Sequence, residues 1–192
     1  SREPGSTRLA PHPSMSYLID TNPSIRNHWE QCFGPLSEIP ESDEHSGWAL
    51  YDRPFRYVSD SDRDLMPDEL SSAWAAERIV EPDASPFFLA VGFMRPHTPL
   101  YAPEKYFKRF PLESIQVPES CADYVPPPGG AELYTYGYER YDLLWRSGGE
   151  NLLRQWLQAY FACVSLVDDQ VGVLVDALES SGKVDETIVV FT

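Results

Sequence analysis

Cysteine is scarce in this chain and basic residues are outnumbered: 192 residues include three Cys, 15 Lys plus Arg and 30 Asp plus Glu. Cys32, Cys121 and Cys163 are widely spaced and form no Cys-x-x-Cys pair, which excludes a zinc ribbon and a dithiol redox motif. The odd count leaves at least one thiol unpaired within the chain. Cys32 and Cys121 lie in loop-like sequence and can pair only where the fold brings them together. The formal net charge of -15 argues against nucleic acid or an anionic membrane surface as a partner, because both call for a positive face. No run of 18 apolar residues is present, so no transmembrane segment is expected. Ser1-Arg2-Glu3-Pro4-Gly5 has neither the basic region nor the apolar core of a signal peptide. The chain therefore reads as mature or as preceded by its targeting segment. A His-x-x-x-His spacing is also missing, and His12, His28 and His45 read as loop histidines rather than metal ligands.

What is present is enough to fold. A hydrophobic content of 42% over this length can bury one sizeable core. Residues 1–64 carry many prolines, serines and acids with isolated aromatics such as Tyr17, Trp29, Phe33, Trp48, Phe55 and Tyr57, and no sustained period. They are expected to form an irregular segment of long loops and short strands wrapped over another part of the protein. Asp60, Asp62 and Asp64 alternate as in a calcium loop, but the glycine and terminal glutamate of such a loop are absent. A solvated acidic lead-in is expected there.

Residues 65–192 read as helix, strand, loop, helix, strand. A helix opens at Pro67-Asp68-Glu69, where proline suits the first turn and two carboxylates complement the positive end of the helix dipole. It is expected to end near Glu81-Pro82. The run Phe87-Phe88-Leu89-Ala90-Val91-Gly92-Phe93 follows, apolar without alternation, as suits a strand covered on both faces of a parallel sheet. Helix followed by buried strand is half of a crossover unit, which predicts an α/β architecture. The run ends in Met94-Arg95-Pro96-His97-Thr98-Pro99. Ligands of open α/β sheets gather beyond the carboxyl ends of strands, and the two prolines make the turn stiff. His97 is thus a candidate catalytic residue, the alternative being a histidine satisfied by a loop carbonyl.

Repeated prolines argue against regular helix over most of residues 100–150, apart from one or two turns within residues 103–110. Lys105, Lys108 and Arg109 resemble an anion site but read as a solvated basic face. Tyr134, Tyr136, Tyr138, Tyr141 and Trp145 either line a sugar-binding rim or simply pack. Apolar residues from Leu153 to Leu178 at steps of three and four predict a helix from about Asn151 to Ser180, with Cys163 near its packed face and Gly182 ending it. Asp168 and Asp169 lie on this helix pointing about 100° apart, so they read as structural or solvent-facing rather than as a catalytic pair. Ile188-Val189-Val190-Phe191 reads as a further strand.

Three blocks carry a family resemblance: Ala84 to Phe93 with Arg95-Pro96-His97-Thr98-Pro99, then Phe110-Pro111-Leu112-Glu113, then Tyr160 to Ser165 with Asp168-Asp169-Gln170-Val171-Gly172 and the closing Thr187 to Thr192. Together they resemble the central portion of the sulfatase family, within the alkaline-phosphatase-like superfamily, and most closely its iduronate-2-sulfatase-like members. The resemblance implies an α/β sandwich with a mainly parallel central sheet, incomplete in this chain. It also implies hydrolysis of a sulfate ester, on a carbohydrate such as a glycosaminoglycan or on a small ester, and a lysosomal, secreted or periplasmic setting. His97 matches the family histidine beside the bound sulfate, implying sulfate contact and proton donation to the leaving alcohol. Arg95 stands where lysine is common and is implied as a second sulfate contact, or as a cation turned away to pair with an acid.

The family's formylglycine comes from a Cys-x-Pro-x-Arg or Ser-x-Pro-x-Arg run, and none surrounds Cys32, Cys121 or Cys163. Its Ca2+ is held by an early Asp pair and a later Asp motif, also missing. The resemblance therefore implies that nucleophile and metal ligands come from outside this chain, with the remainder of the sulfatase domain as its partner, and that the chain alone is inactive. A phosphodiesterase or phosphonate hydrolase of the same superfamily, and a non-catalytic glycan- or protein-binding domain, are the alternatives.

Overall fold

The structure is a computed structural model that describes residues 33–38, 49–50, 53–82, 86–118 and 131–192. Short strands β1 (Phe33–Pro35), β2 (Ala49–Leu50), β3 (Arg53–Pro54), β4 (Tyr57–Ser59) and β5 (Asp62–Arg63) precede helix α1 (Pro67–Val80). After them come β6 (Leu100–Ala102), the single-turn α2 (Glu104–Phe107) and the long helix α3 (Ala131–Ser180). Strands β2 with β3 and β4 with β5 form antiparallel pairs, whereas β1 pairs with β6 in parallel, Gly34 opposite Tyr101. That parallel pair draws the N-terminal segment beside the chain that leaves the His97 turn.

Helix α1 begins as its sequence predicts. Pro67 occupies the first turn, and Glu69 reaches back to accept the Met66 amide at 2.7 Å while receiving the Arg63 guanidinium through two 2.6 Å bonds. Its inner face packs on α3, where Ile79 meets Ala177 and Leu178 and the buried Ser72 hydroxyl donates to Gln170 Oε1 at 2.6 Å. Lys183 closes the far end by donating to the carbonyls of Ile79 and Glu81, satisfying acceptors that a helix terminus leaves open. The main core joins Met66, Leu100, Tyr101, Tyr106, Cys163 and Leu166, so β6 and α2 are seated on α3.

Several expectations are corrected. Helix is present from Ala131, because the proline series stops at Pro128 and Ala131 to Gly148 contains none. Gly149, at φ 61° and ψ -153°, interrupts α3, and the predicted helix from about Asn151 is the part beyond this break. The acidic lead-in is a β4–β5 hairpin whose carboxylates are engaged. Asp60 accepts the backbone amides of Glu104 and Lys105 at the start of α2, Asp62 pairs with Arg56, and Asp64 accepts the Arg56 amide. The Arg56 and Lys105 ends of these bonds are too far away in sequence, or too local in geometry, for spacing to reveal.

Neither expected apolar strand has a ladder partner among the described residues. In the first, Leu89 packs toward Ile79 and Ala177, but Phe88 is 94% exposed. In the second, Phe191 is 81% exposed. Apolar side chains on a strand covered on both faces are buried by neighbouring strands and layers, and the described residues cover one face of the first run only. No helix among the described residues is long and apolar enough to cross a membrane.

Candidate active site

The chain around His97 is held from two sides. From α1, the buried carboxylate of Asp68 accepts the backbone amides of Met94, at 2.6 Å, and Arg95, at 3.2 Å. From within, the His97 amide donates to the Met94 carbonyl at 2.9 Å, closing the turn. Both the Arg95-Pro96 and Thr98-Pro99 peptide bonds are cis. Arg95 is only 3% exposed, and its guanidinium donates to the carbonyls of Tyr101, at 3.1 Å, and His97, at 3.4 Å. Its charge lies beneath the turn, bonded to backbone. Cys163 Sγ, on α3, approaches the same Tyr101 carbonyl at 3.6 Å.

The His97 ring itself is exposed. Its Nδ1 lies 2.6 Å from the Thr98 carbonyl. A carbonyl oxygen can only accept, so Nδ1 carries the hydrogen and Nε2 is the basic nitrogen of the neutral ring. Such a hydrogen bond to one nitrogen sets the tautomer and orientation of the other. The loop-carbonyl alternative is therefore realised at Nδ1. Thr98, for which the sequence suggests no role, supplies this acceptor through its backbone.

The other candidates are dispersed. Arg109 is bound to Asp169 through two hydrogen bonds and to the Ser165 hydroxyl at 2.7 Å, and Lys108 pairs with Glu104, so the basic face around α2 is partly neutralised. The Arg109 guanidinium holds the Asp169 carboxyl below its usual range, with the Tyr106 hydroxyl bond acting in the same direction against burial. Asp168 is exposed, and Asp169 is a structural partner. Tyr141 and Trp145 stack on each other along α3, their ring centroids 6.3 Å apart. The side chains of Tyr134, Tyr136 and Tyr138, and His12, His28, His45, Cys32 and Cys121, lie outside the described residues.

Cys163 is fully buried, and that burial pushes its thiol up to about 12. Such a thiol is a core residue rather than a nucleophile. An open groove of about 470 Å³ lies along α3 among Glu69, Tyr106, Asp168, Asp169 and Asp176. Its acidic lining is unsuited to an anion, and no residue of the 94–99 turn belongs to it. Among the described residues, no group of three His, Cys, Asp or Glu side chains can hold a metal ion. Asp68 is the residue that sequence reasoning missed. Its position at a helix start signals a dipole partner, whereas its bonds reach residues 26 and 27 positions later.

The family described as Sulfatase matches residues 15–192. A protein named sulfatase from Formosa agariphila is 41% identical over 128 residues, covering 66% of this chain and 25% of that protein. The iduronate 2-sulfatases of Mus musculus and Homo sapiens are 33% and 32% identical over 150 residues, covering 70% of this chain and 26% of each relative. The chain thus spans about a quarter of the length of these relatives. A match over nearly its whole length, joined to these identities with named sulfatases, makes this chain a member of the sulfatase family.

Proposed function

We propose that this chain is the central part of a sulfatase catalytic domain that hydrolyses a sulfate ester on a carbohydrate, such as a glycosaminoglycan, and that His97 contacts the sulfate and protonates the leaving alcohol. One observation carries the reading: an exposed imidazole whose Nδ1 is turned to the Thr98 carbonyl, so that Nε2 is the atom at which the ring gains and gives up a proton. As the S–O bond to the alcohol breaks, its electron pair passes to the departing oxygen. The Nε2 proton of the imidazolium passes to the same oxygen, as in general acid catalysis. Before that step the imidazolium is a cation beside the sulfate oxygens. Arg95, buried under the turn, adds a fixed positive charge to the sulfate site and braces the loop. Similarity to the iduronate 2-sulfatases supports a sulfated sugar as the substrate class.

The formylglycine and Ca2+ of the family are proposed to come from residues outside this chain. The described residues offer no metal-ligating cluster, and the described thiol is in the core, so no step of this chain runs through either group. The complete domain is proposed to be an α/β sandwich of the alkaline-phosphatase type with a mainly parallel sheet. Residues 1–64 form its wrapping segment and residues 65–192 its central portion. The exposed apolar runs at 86–93 and 187–192 are proposed as strands completed by the remainder of the domain, a reading supported by their exposed Phe88 and Phe191. The test is sulfate release by the polypeptide extended to the full length of its relatives. Turnover is expected there and none by the 192-residue chain alone. Release by the short chain, or hydrolysis of phosphate diesters in preference to sulfate esters, would contradict the proposal.

A further inference from the structure

We propose that Asp68 is a positioning residue for His97, acting through the backbone of the turn; this rests on the reading of His97 as the proton donor. Asp68 is 3% exposed and negative, so it is unsuited to touch a sulfate itself. What it does touch is the beginning of the turn. Each of its two carboxylate oxygens takes one backbone amide, Oδ1 from Met94 and Oδ2 from Arg95. Hydrogen bonds to a charged acceptor are stronger than neutral ones, and two in parallel fix direction as well as distance.

The next link is short. The Met94 carbonyl accepts the His97 amide, and the Arg95 side chain holds the His97 and Tyr101 carbonyls. From Asp68 to the backbone of His97 there is thus one hydrogen bond, one residue and a second hydrogen bond. The anchor is stationary, because Asp68 belongs to the first turn of α1, and α1 is locked to α3 through Ser72 with Gln170 and Ile79 with Leu178. The location of the imidazole is therefore referred to the helix pair rather than to the loop alone.

Asp68→Asn in the full-length protein tests this, since it preserves shape while presenting an amide N–H to a backbone N–H in place of one acceptor. Misplacement of a reacting group by about 1 Å can cost on the order of 100-fold. A fall in kcat of roughly 10- to 100-fold is expected on that scale, with KM little changed and with the alkaline limb of the pH profile, where a general acid loses its proton, moved. In a His97→Gln background the same substitution is expected to have no further effect on kcat. Equal losses in both backgrounds, or an Asp68→Asn enzyme as active as the parent while His97→Gln is crippled, would overturn the positioning role and leave the His97 reading intact. An unimpaired His97→Gln enzyme would remove the His97 reading and the positioning role together. Amide hydrogen exchange on the unaltered protein gives a check that needs no variant: Met94 and Arg95 amides should exchange as slowly as the core of α1, and rapid exchange at both would overturn the clamp.

Discussion

The Arg109 guanidinium grips the Asp169 carboxylate through parallel hydrogen bonds of 2.8 and 3.0 Å, tying the chain after α2 to the middle of α3 across 60 residues. Arg109 holds the Asp169 carboxyl below its usual range. A depressed folded-state value means that the contribution is present above the ordinary carboxylate pKa and is lost as pH falls through the folded one. Both side chains are substantially exposed, so solvent screening limits the pair to about 0.2–1 kcal/mol. Asp169→Asn should lower urea stability at pH 7 by that amount, and the difference from the parent should vanish toward pH 2. A difference that persists undiminished in acid would show that the carboxylate charge is not what holds the contact.

Cys163 and Tyr57 set an alkaline limit. Burial raises the Cys163 thiol to about 12, and burial with a hydrogen bond to Asp60 raises the Tyr57 hydroxyl to about 12. Groups raised in the folded state contribute stability fully below their unfolded values, and that contribution is lost as pH rises toward 12. Iodoacetamide at pH 8.5 should alkylate Cys163 rapidly in urea and barely at all in the folded protein. Peptide mapping identifies the site, and fast labelling of the native protein at Cys163 would contradict its burial.

Two glycines of α3 should respond in opposite directions. Gly149 has φ 61° and ψ -153°, a region that side chains strain to enter, so Gly149→Ala should cost about 1–3 kcal/mol. Gly172 lies within the helix with open space where a Cβ would stand, so Gly172→Ala should gain about 0.5–1 kcal/mol. Chemical denaturation of both variants checks the pair. A neutral Gly149→Ala would mean that the helix does not break there.

Local signals were the legible ones. Pro67 and Glu69 mark the start of α1, the stripe from Leu153 to Leu178 marks the second part of α3, and Pro96 with Pro99 marks a turn. The misses were of two kinds. The prolines from Pro103 to Pro128 break helix only up to Pro128, and the proline-free stretch from Ala131 is helical. The others are long-range: Asp68 with Met94, Asp60 with Glu104 and β1 with β6 join residues 26, 44 and 67 apart, as Phe33 is to Leu100, and composition or periodicity does not record such partners. Arg95 shows the limit most clearly. Its charge is evident in sequence, but only the fold reveals that its guanidinium is buried beneath the turn and donates to the Tyr101 and His97 carbonyls.

The most direct measurement is the rate of sulfate release by full-length parent and His97→Gln enzymes from two esters, 4-nitrophenyl sulfate and a sulfated sugar. A nitrophenolate leaves with little need of a proton, whereas a sugar alkoxide needs one. General acid catalysis contributes about 10²- to 10⁴-fold, so His97→Gln should lose a factor of that order on the sugar ester and far less on the nitrophenyl ester. Equal losses on both substrates, or no loss on the sugar ester, would contradict the assignment of His97 as the proton donor.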